Sequence, residues 1–297
     1  GRVLLELACQ AVLANYEDLP LPIALLFDGA GRLCVAQVGE VDLGTVIADA
    51  RALLAAPEER CFKVPDDIDF VVAAAMGTVF PTVHVSLMIR ANYKTGETVL
   101  VNGAAGGIGL AGVQIAKAKG ATVIAGDISD EKRALATEYG ADHTIDIMAD
   151  DIRESLRKQV FAVTDGRGVD ICLDPIGGDV FDASLRALDF EGRIVTIGYV
   201  SGRIPEAKAN YFNVKNLSLA GIALDLYLQK QPETVHAAMD DLFALNRAGK
   251  VKPEVTATYR LEDFKEVMAM FGDQGQQCVS IDVGGIQVTV ECDAIAL

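Results

Sequence analysis

The sequence predicts an α/β protein in which a doubly wound parallel sheet is joined to a second, β-rich part. Between residues 87 and 224, aliphatic runs typical of strands alternate with amphipathic runs typical of helices. A glycine-rich segment joins the first of these strands to the first of these helices. Towards both chain ends, the sequence instead shows short runs in which apolar and polar residues alternate, as in strands. Strands that alternate with helices pair in parallel and are covered on both faces, so the central region is expected to form the sheet.

The elements can be assigned in chain order. Near the N-terminus, LLFDGAGRLCVAQVGEVDLG predicts short strands. The central strand patterns are ETVLVNG, ATVIAGDIS, HTIDI, GVDICLDPIG, GRIVTIGYV and NLSLAGIAL, with helical patterns such as LAGVQIAKAKG and SDEKRALATEYG between most of them. After these, PETVHAAMDDLFALNRAGK predicts a helix, LEDFKEVMAMF another, and VTATYRL, CVSIDVGG and IQVTVE predict strands.

The composition excludes several classes of protein. The chain has 297 residues, 51% of them hydrophobic, and carries 26 Lys+Arg against 42 Asp+Glu, a formal net charge of −16. This is enough apolar material for one large or two modest domains and excludes a disordered chain. The acidity argues against nucleic acid as a partner, because that affinity comes from clustered Lys and Arg.

The cysteines and the apolar segments predict a cytoplasmic protein without a membrane partner. The six cysteines form no CxxC pair, which fits free thiols in a reducing compartment. GRVLLELACQ lacks the pattern of a secretory leader. From Phe70 to Ile89 the chain has no charged side chain over 20 residues, but Pro81 and His84 favour a buried segment of a soluble protein.

The corner between the first central strand and the first central helix carries the clearest functional signal. The strand Thr98–Asn102 runs into Gly103 and then into AAGGIG. Small residues let the chain turn sharply, so that backbone N–H groups and the positive end of the helix dipole can meet a pyrophosphate. The residues expected to contact it are Ala105, Gly106, Gly107, Ile108 and Gly109.

An acidic residue follows at the distance expected of a dinucleotide-binding unit. The second strand, Thr122–Gly126, ends at Asp127, about 20 residues after the loop. A carboxylate there could accept hydrogen bonds from the hydroxyls of an adenosine ribose. Strand, loop, helix and acid together predict dinucleotide binding, and a tight corner without a ligand is the alternative.

These motifs resemble those of a known family. The segments concerned are NGAAGGIGLAGVQIAKAKGATVI, EKRALATEYGADHTID, GVDICLDPIGG, GGDVFDASLRALDFEGRIVTIGYVSG and KNLSLAGI. Together they resemble the quinone oxidoreductase (zeta-crystallin-like) branch of the medium-chain dehydrogenase/reductase superfamily. The resemblance extends from about Asp66 to Gly284. It implies a Rossmann cofactor domain at residues 87–224, inserted into a GroES-like substrate domain formed by residues 1–86 and 225–297.

The resemblance also implies an activity and a set of site residues. The activity is hydride transfer from a nicotinamide to a quinone or to an activated carbon–carbon double bond, as in an enone or an enoyl thioester. Asn15, Tyr16 and Thr82 would line the substrate side, and Gly198 and Tyr199 the cofactor side. Tyr16 could donate a hydrogen bond or a proton, although a purely packing role explains it equally well.

Zinc is not expected. Where zinc alcohol dehydrogenases of this superfamily carry metal ligands, this chain has Asn15 and the pair Phe27-Asp28, which cannot supply the thiolate and imidazole ligands that zinc needs. Without a metal to polarise a carbonyl, reduction of an already activated acceptor is better suited than alcohol oxidation.

The residues leave NADH and NADPH open. Branch members mostly use NADPH, and Ser129, Lys132 and Arg133 could meet its 2′-phosphate. Asp127 favours NADH instead, because a carboxylate within a few Å of a phosphate is repulsive by roughly 1 kcal/mol or more.

Two other functions compete with the reductase. Tyr211-x3-Lys215 has the spacing of the catalytic pair of short-chain dehydrogenases, but it lies between Pro205 and a strand pattern, where no long helix fits. A non-catalytic dinucleotide-binding protein is the second, because RALLAAPEER stands after Gly44 where the family carries Gly-Gly-Tyr/Phe-Ala-Glu.

The charge distribution bears on the partners. Residues 1–72 carry 5 basic and 12 acidic side chains, residues 87–224 carry 15 and 18, and residues 225–297 carry 6 and 12. The acidity therefore lies mostly in the proposed substrate domain, which favours a small neutral quinone or enone as substrate. The apolar NLSLAGIAL is compatible with a homodimer through the last strand of the cofactor sheet, as in relatives.

Overall fold

The computed structural model describes the backbone of residues 24–27, 32–36, 61–255, 257–260, 278–283 and 286–291, and the side chains of 62–69 and 71–255. The described strands are β1 Ala24–Phe27, β2 Arg32–Ala36, β3 Cys61–Lys63, β4 Thr98–Asn102, β5 Thr122–Asp127, β6 His143–Asp146, β7 Val169–Asp174, β8 Leu188–Thr196, β9 Ser218–Gly221, β10 Ala257–Arg260, β11 Cys278–Val283 and β12 Ile286–Glu291.

The helices alternate with the strands in the central region. They are α1 Phe70–Ala75, α2 Val79–His84, which continues as a π-helical segment Val85–Arg90, then α3 Gly107–Ala118, α4 Asp130–Glu138, α5 Ile152–Val163, α6 Gly178–Ala187, α7 Asn210–Lys215, α8 Leu224–Lys230 and α9 Pro232–Arg247. The chain divides into two compact units, one formed by the described parts of Gly1–Val79, Asp225–Arg247 and Pro253–Ile295, the other by Phe80–Leu224 with Ala248–Lys252.

The second unit is built on a six-stranded parallel sheet in the order β6-β5-β4-β7-β8-β9. All five residues of β4 are buried, as expected of a strand covered on both faces. The winding direction reverses between β4 and β7, and ligands of such sheets bind at the carboxyl ends of the strands beside that reversal. The predicted doubly wound α/β sheet is confirmed.

Two helices cover one face of this sheet and form its main core. Leu156 and Val160 of α5 pack with Phe181 and Leu185 of α6 against β4, β5 and β7 residues such as Leu100. These side chains are almost completely buried. Burial against the sheet therefore explains both sequence patterns. The apolar residues of the helices recur at helical spacing, and strands alternate with helices along the chain, because each helix packs on the sheet.

The first unit contains a six-stranded sheet made from both chain ends, in the order β10-β11-β12-β1-β2-β3. β10 and β11 pair in parallel, whereas the other neighbours are antiparallel. Ala24 in β1 lies opposite Val290 in β12, so the alternating IQVTVE forms a strand as predicted. The uncharged segment that begins at Phe70 folds into α1, α2 and the π-helical segment, and no described helix is long and apolar enough to cross a membrane.

Two predicted strands differ from the structure, and one predicted helix is not tested. β8 begins at Leu188 rather than at the glycine of GRIVTIGYV, and its pairing with β7 shifts in register between Val169 and Ile171, so that residues before Gly192 join the strand. NLSLAGIAL is a strand only as far as Gly221, and the chain then enters α8, which the sequence analysis did not predict. The helix predicted at LEDFKEVMAMF lies outside the described residues.

Cys172, in the middle of β7, is expected to be chemically inert in the folded protein. Its side chain is fully buried, and burial, with a further contribution from the Asp174 carboxylate, raises the pKa of the thiol well above its usual value. Peptide mass spectrometry after iodoacetamide treatment should find Cys172 unmodified in the native protein and modified in denaturant. Rapid native labelling would contradict this packing.

Candidate dinucleotide-binding site

The glycine corner lies at the carboxyl end of β4, beside the reversal of the sheet. Gly103 adopts φ +61, a left-handed conformation that favours glycine, and the Gly106 N–H donates to the Gly103 carbonyl oxygen at 3.0 Å. Helix α3 then begins, and its first bond along the helix runs from the Leu110 N–H to the Gly106 carbonyl oxygen at 2.7 Å. The positive end of the dipole of this 12-residue helix therefore lies at the glycine corner.

Gly109 permits the close approach of α3 to this corner. A Cβ atom at Gly109 would lie 2.0 Å from the carbonyl oxygen of Gly103 and 2.6 Å from the carbonyl carbon of Ala104. One turn along, a Cβ atom at Gly112 would meet the Val101 side chain at 3.1 Å. Glycine at these positions thus allows the N-terminus of α3 to pack directly against the loop that precedes it.

Asp127 lies under the glycine corner at the end of β5. Its Oδ2 accepts a hydrogen bond from the Ala105 N–H at 2.7 Å, and its Oδ1 accepts one from the Ile128 N–H, also at 2.7 Å. A further bond links the same two segments, from the Ala104 N–H to the Gly126 carbonyl oxygen at 3.1 Å. Only 3% of Asp127 is exposed.

The residues after Asp127 begin α4. Ser129 is the N-cap, and its hydroxyl accepts from the Lys132 N–H at 3.3 Å. Lys132 is exposed, and its side chain has no ion pair among the described residues. Arg133 is committed elsewhere, because its guanidinium donates to the Asp127 carbonyl oxygen at 2.9 Å and to the Asp130 carboxylate at 2.5 Å.

A buried polar cluster joins β4 to β7 next to the corner. Nδ2 of Asn102 donates to Oδ1 of Asp174 at 2.9 Å and to the Ser184 hydroxyl at 3.0 Å. Oδ2 of Asp174 accepts from the Gly177 N–H at 3.1 Å. Burial raises the pKa of Asp174 from 3.8 to about 6, although the hydrogen bonds from Asn102 and Gly177 favour its charged form.

The turn after β7 connects the glycine corner to the loop after β8. Ile176 packs on the corner, since a Cβ atom at Gly103 would meet its Cδ1 at 2.9 Å. On the other side, the Val200 N–H donates to the Pro175 carbonyl oxygen at 3.2 Å, and a Cβ atom at Gly177 would lie 3.1 Å from Cδ1 of Tyr199. Gly198 lies in the same loop, where a Cβ atom would lie 3.2 Å from the Pro175 carbonyl oxygen.

The structure thus brings together most of the predicted cofactor residues. These are Ala105, Gly106, Gly107, Ile108 and Gly109 at the corner, Asp127 beneath it, Ser129 and Lys132 after β5, and Gly198 and Tyr199 after β8. Thr82 is half-buried in α2, and its carbonyl oxygen accepts from the Ser86 hydroxyl at 2.7 Å. Asn15 and Tyr16 lie outside the described residues.

Three residues of the site were missed by the sequence analysis. Asn102 and Asp174 end two adjacent strands with polar side chains, and this shared position at strand ends was the available signal. Ile176 gave no signal, because its packing on Gly103 depends on how the two strand ends meet.

The pair Tyr211 and Lys215 does not form the short-chain dehydrogenase site. Both residues lie on α7, which has only six residues. The Tyr211 hydroxyl accepts from Arg153 at 3.2 Å, whereas the Lys215 ammonium donates to the Leu188 carbonyl oxygen at 2.5 Å. The two polar ends thus serve different contacts, as the absence of a long helix from the sequence predicts.

No group of three or more His, Cys, Asp or Glu within the described residues could hold a metal ion. Of the positions at which zinc dehydrogenases carry ligands, Asn15 and Asp28 lie outside the described residues. The structure therefore does not test the expected absence of zinc there.

Comparison with known proteins agrees with this geometry. Residues 107–243 match a family described as zinc-binding dehydrogenase. A quinone oxidoreductase of Pseudomonas aeruginosa is 31% identical over 84% of this chain and 78% of its own length. The chain belongs to the quinone oxidoreductase branch of the medium-chain dehydrogenase/reductase superfamily. A quinone oxidoreductase-like protein 2 homolog of Nematostella vectensis is 33% identical over 72% of this chain, which spans 58% of that relative's length.

A solved structure supports the same family. A mycobacterial protein in complex with NADPH has a TM-score of 0.66 and 30% identity, covering 72% of this chain and 65% of its own. A protein of similar fold has therefore been solved in complex with NADPH.

Proposed function

We propose that this chain is a zinc-independent NAD(P)H-dependent reductase that transfers hydride to a quinone or to an activated carbon–carbon double bond. The observation that carries the proposal is the N-terminus of α3 at the glycine corner, beside the ends of β4, β5 and β7. Bound there, NAD(P)H would supply the hydride, and the chain's own residues would orient it.

The corner fits a pyrophosphate. Because Gly109 has no side chain, α3 begins directly against the glycine loop, and the helix dipole favours negative charge at that point. Ile128 follows Asp127 and is 49% exposed, so it offers an apolar surface for an adenine ring. The Tyr199 loop would close the site from the β8 side.

The same site can take NADP(H) or NAD(H). Lys132 is exposed at the start of α4, next to the Ser129 hydroxyl, where a ribose 2′-phosphate would find a cation and a donor. NADH would lack the phosphate and leave Lys132 solvated.

We propose that residues 1–86 and 225–297 form the GroES-like substrate domain, and we assign roles towards the acceptor to Asn15, Tyr16 and Thr82. Hydride addition to an enone or a quinone places negative charge on an oxygen, which the Tyr16 hydroxyl would meet as a hydrogen-bond or proton donor. The acidity of the chain ends favours a neutral acceptor.

A turnover screen tests the reductase directly. Oxidation of NADH and NADPH, followed by nicotinamide absorbance, would be measured with quinones, enones and enoyl thioesters. We expect turnover with at least one neutral acceptor. The second candidate, a non-catalytic binder, rests on the RALLAAPEER segment after Gly44, and cofactor binding without turnover on any acceptor would establish it instead.

Replacing Tyr16 by phenylalanine should lower kcat by about tenfold or more, because the donor to the developing oxyanion is lost. The matched control is Tyr211→Phe, which removes a hydroxyl bound only to Arg153 in the described structure and should leave kcat unchanged. Equal activity of both variants would remove Tyr16 from the mechanism, and loss of activity in Tyr211→Phe alone would favour the short-chain mechanism.

We further propose a homodimer that forms along β9. This strand ends the sheet order, and Leu219 on it is 46% exposed. An open edge strand with an apolar side chain favours pairing with a second copy. Light scattering after size exclusion should give twice the chain mass, and Leu219→Lys should shift the equilibrium towards monomer; a monomeric wild type would contradict the proposal.

A further inference from the structure

We infer that Asp127 is a positioning residue that holds the glycine corner in place and is not the residue that recognises the ribose of the cofactor. The inference rests on the proposed function, since it concerns how the same site treats NADH and NADPH. It differs from the role that the position of Asp127 suggests in the sequence, which is acceptance of hydrogen bonds from ribose hydroxyls.

The Asp127 carboxylate is directed at backbone amides. Both of its oxygens accept a backbone N–H at 2.7 Å, one from Ala105 in the corner and one from Ile128 in its own turn. Distances this short are those of charge-assisted hydrogen bonds. Releasing the carboxylate towards a ribose would leave the N–H of Ala105, a residue only 1% exposed, without an acceptor.

Asp127 is almost completely buried. With 3% of Asp127 exposed, the carboxylate has almost no surface that a ribose hydroxyl could reach, whereas Ile128 beside it is 49% exposed. The chain at the end of β5 therefore presents an apolar side chain to the cofactor and keeps its acid beneath the loop.

Two neighbouring hydrogen bonds join the glycine corner to the end of β5. The Ala104 N–H donates to the Gly126 carbonyl oxygen at 3.1 Å, so two successive amides of the corner are tied to two successive residues of β5. This pair of bonds fixes the corner, and with it the start of α3, relative to β5. The acid thus acts on the pyrophosphate contact through the backbone of the loop.

This role changes the expected cofactor preference. If Asp127 faced the ribose, its charge would repel a 2′-phosphate and would favour NADH. With its charge engaged below the loop, the groups left near the 2′-position are Ser129 and the exposed Lys132. Asp127 therefore does not set the preference between the two cofactors, and NADPH is accepted despite the acid.

The test compares Asp127→Asn with the wild type by calorimetric titration of NADH and NADPH. We expect both cofactors to bind about tenfold more weakly, as for loss of a hydrogen bond to a charged acceptor, with their affinity ratio changed less than about threefold. A fall confined to NADH, with NADPH bound equally well or better, would overturn the inference. Unchanged affinity for both would also overturn it, since a residue that only stabilises the fold would lower the melting temperature alone.

Asp146→Asn is the matched control. Asp146 lies opposite Asp127 at the end of β6. Its Oδ1 accepts from the Met148 N–H at 2.8 Å and lies 3.4 Å from the Arg133 guanidinium, but its carboxylate has no described bond to the glycine corner. This variant should bind both cofactors as the wild type does. A loss equal to that of Asp127→Asn would overturn the inference, because any acid at a strand end would then have the same effect.

Hydrogen exchange in the wild type keeps the test independent of the variant's folding. The Ala105 amide should be protected in the free protein and should stay protected when NADH is added. Release of that amide on binding NADH would show the carboxylate turning to the ribose and would overturn the inference. If neither cofactor binds, the proposed function fails, whereas protection of the Ala105 amide still reports on the anchor.

Discussion

Replacing Gly109 by alanine is expected to abolish measurable dinucleotide binding. The added Cβ atom would lie 2.0 Å from the carbonyl oxygen of Gly103 and 2.6 Å from the Ala104 backbone, distances that real Cβ atoms essentially never show. No side chain can rotate away, because the obstructing atoms are backbone. The end of α3 must therefore move off the loop, at a cost of about 3 kcal/mol or more, equivalent to at least about a hundredfold loss of affinity.

Gly112→Ala is the matched control on the same helix. Its Cβ atom would meet side-chain atoms of Val101 at 3.1 Å and of Leu173 at 3.5 Å, which can yield by a few tenths of an ångström. Calorimetric titration should show a much smaller loss of affinity for this variant, with both proteins checked for folding by circular dichroism. Wild-type affinity in Gly109→Ala would contradict the placement of the cofactor at this corner.

Replacing Asp174 by asparagine should destabilise the protein by about 2 kcal/mol, in a manner that depends on pH. An asparagine amide facing the Gly177 N–H would leave that buried donor without an acceptor. In addition, the pKa of Asp174 is about 6 in the folded protein against 3.8 for an ordinary aspartate. The folded state thus holds this proton more tightly than the unfolded state does.

The sign of the pH dependence follows from linkage. Because the folded state holds the Asp174 proton more tightly, protonation adds about 3 kcal/mol to the free energy of unfolding below pH 3.8. This contribution is lost as the pH rises through about 6. Between about pH 5 and about pH 7, the wild type should therefore lose about 1 kcal/mol relative to Asp174→Asn. Urea unfolding of both proteins at several pH values measures this difference.

Asp170 provides the control on the same strand. Burial alone would raise the pKa of Asp170, but the hydrogen bonds from Arg167 and from the Thr98 N–H hold it below 3.8. Asp170 is therefore ionised across the whole range, and the stability difference between Asp170→Asn and the wild type should not change between about pH 5 and about pH 7. A flat difference for Asp174→Asn as well would show that its carboxyl is not buried as described.

Much of the second unit could be predicted because its signals are local. Thr98–Asn102 is an unbroken apolar run apart from its ends, as expected of a strand that is buried on both faces. Helix α3 starts at the glycines, because its close approach to the corner requires them. The β–α alternation specifies a parallel sheet, and with the glycine corner it specifies where a ligand would bind.

The features that escaped prediction depend on contacts between distant parts of the chain. Asn102 and Asp174 are 72 residues apart, and only the adjacency of β4 and β7 makes them partners. Asp127 has the position of a ribose-binding acid in the sequence, but its side chain turns towards Ala105, and no local pattern records that direction. The early start of β8 at Leu188 likewise follows from a register shift against β7.

The most direct test of the central claim is a calorimetric titration of the wild-type chain with NADPH and with NADH. We expect one binding site per chain for at least one of the two cofactors, and we expect this site to be lost in Gly109→Ala. Absence of binding for both cofactors to a folded wild-type protein would contradict the account, because the glycine corner would then be only a tight connection between β4 and α3.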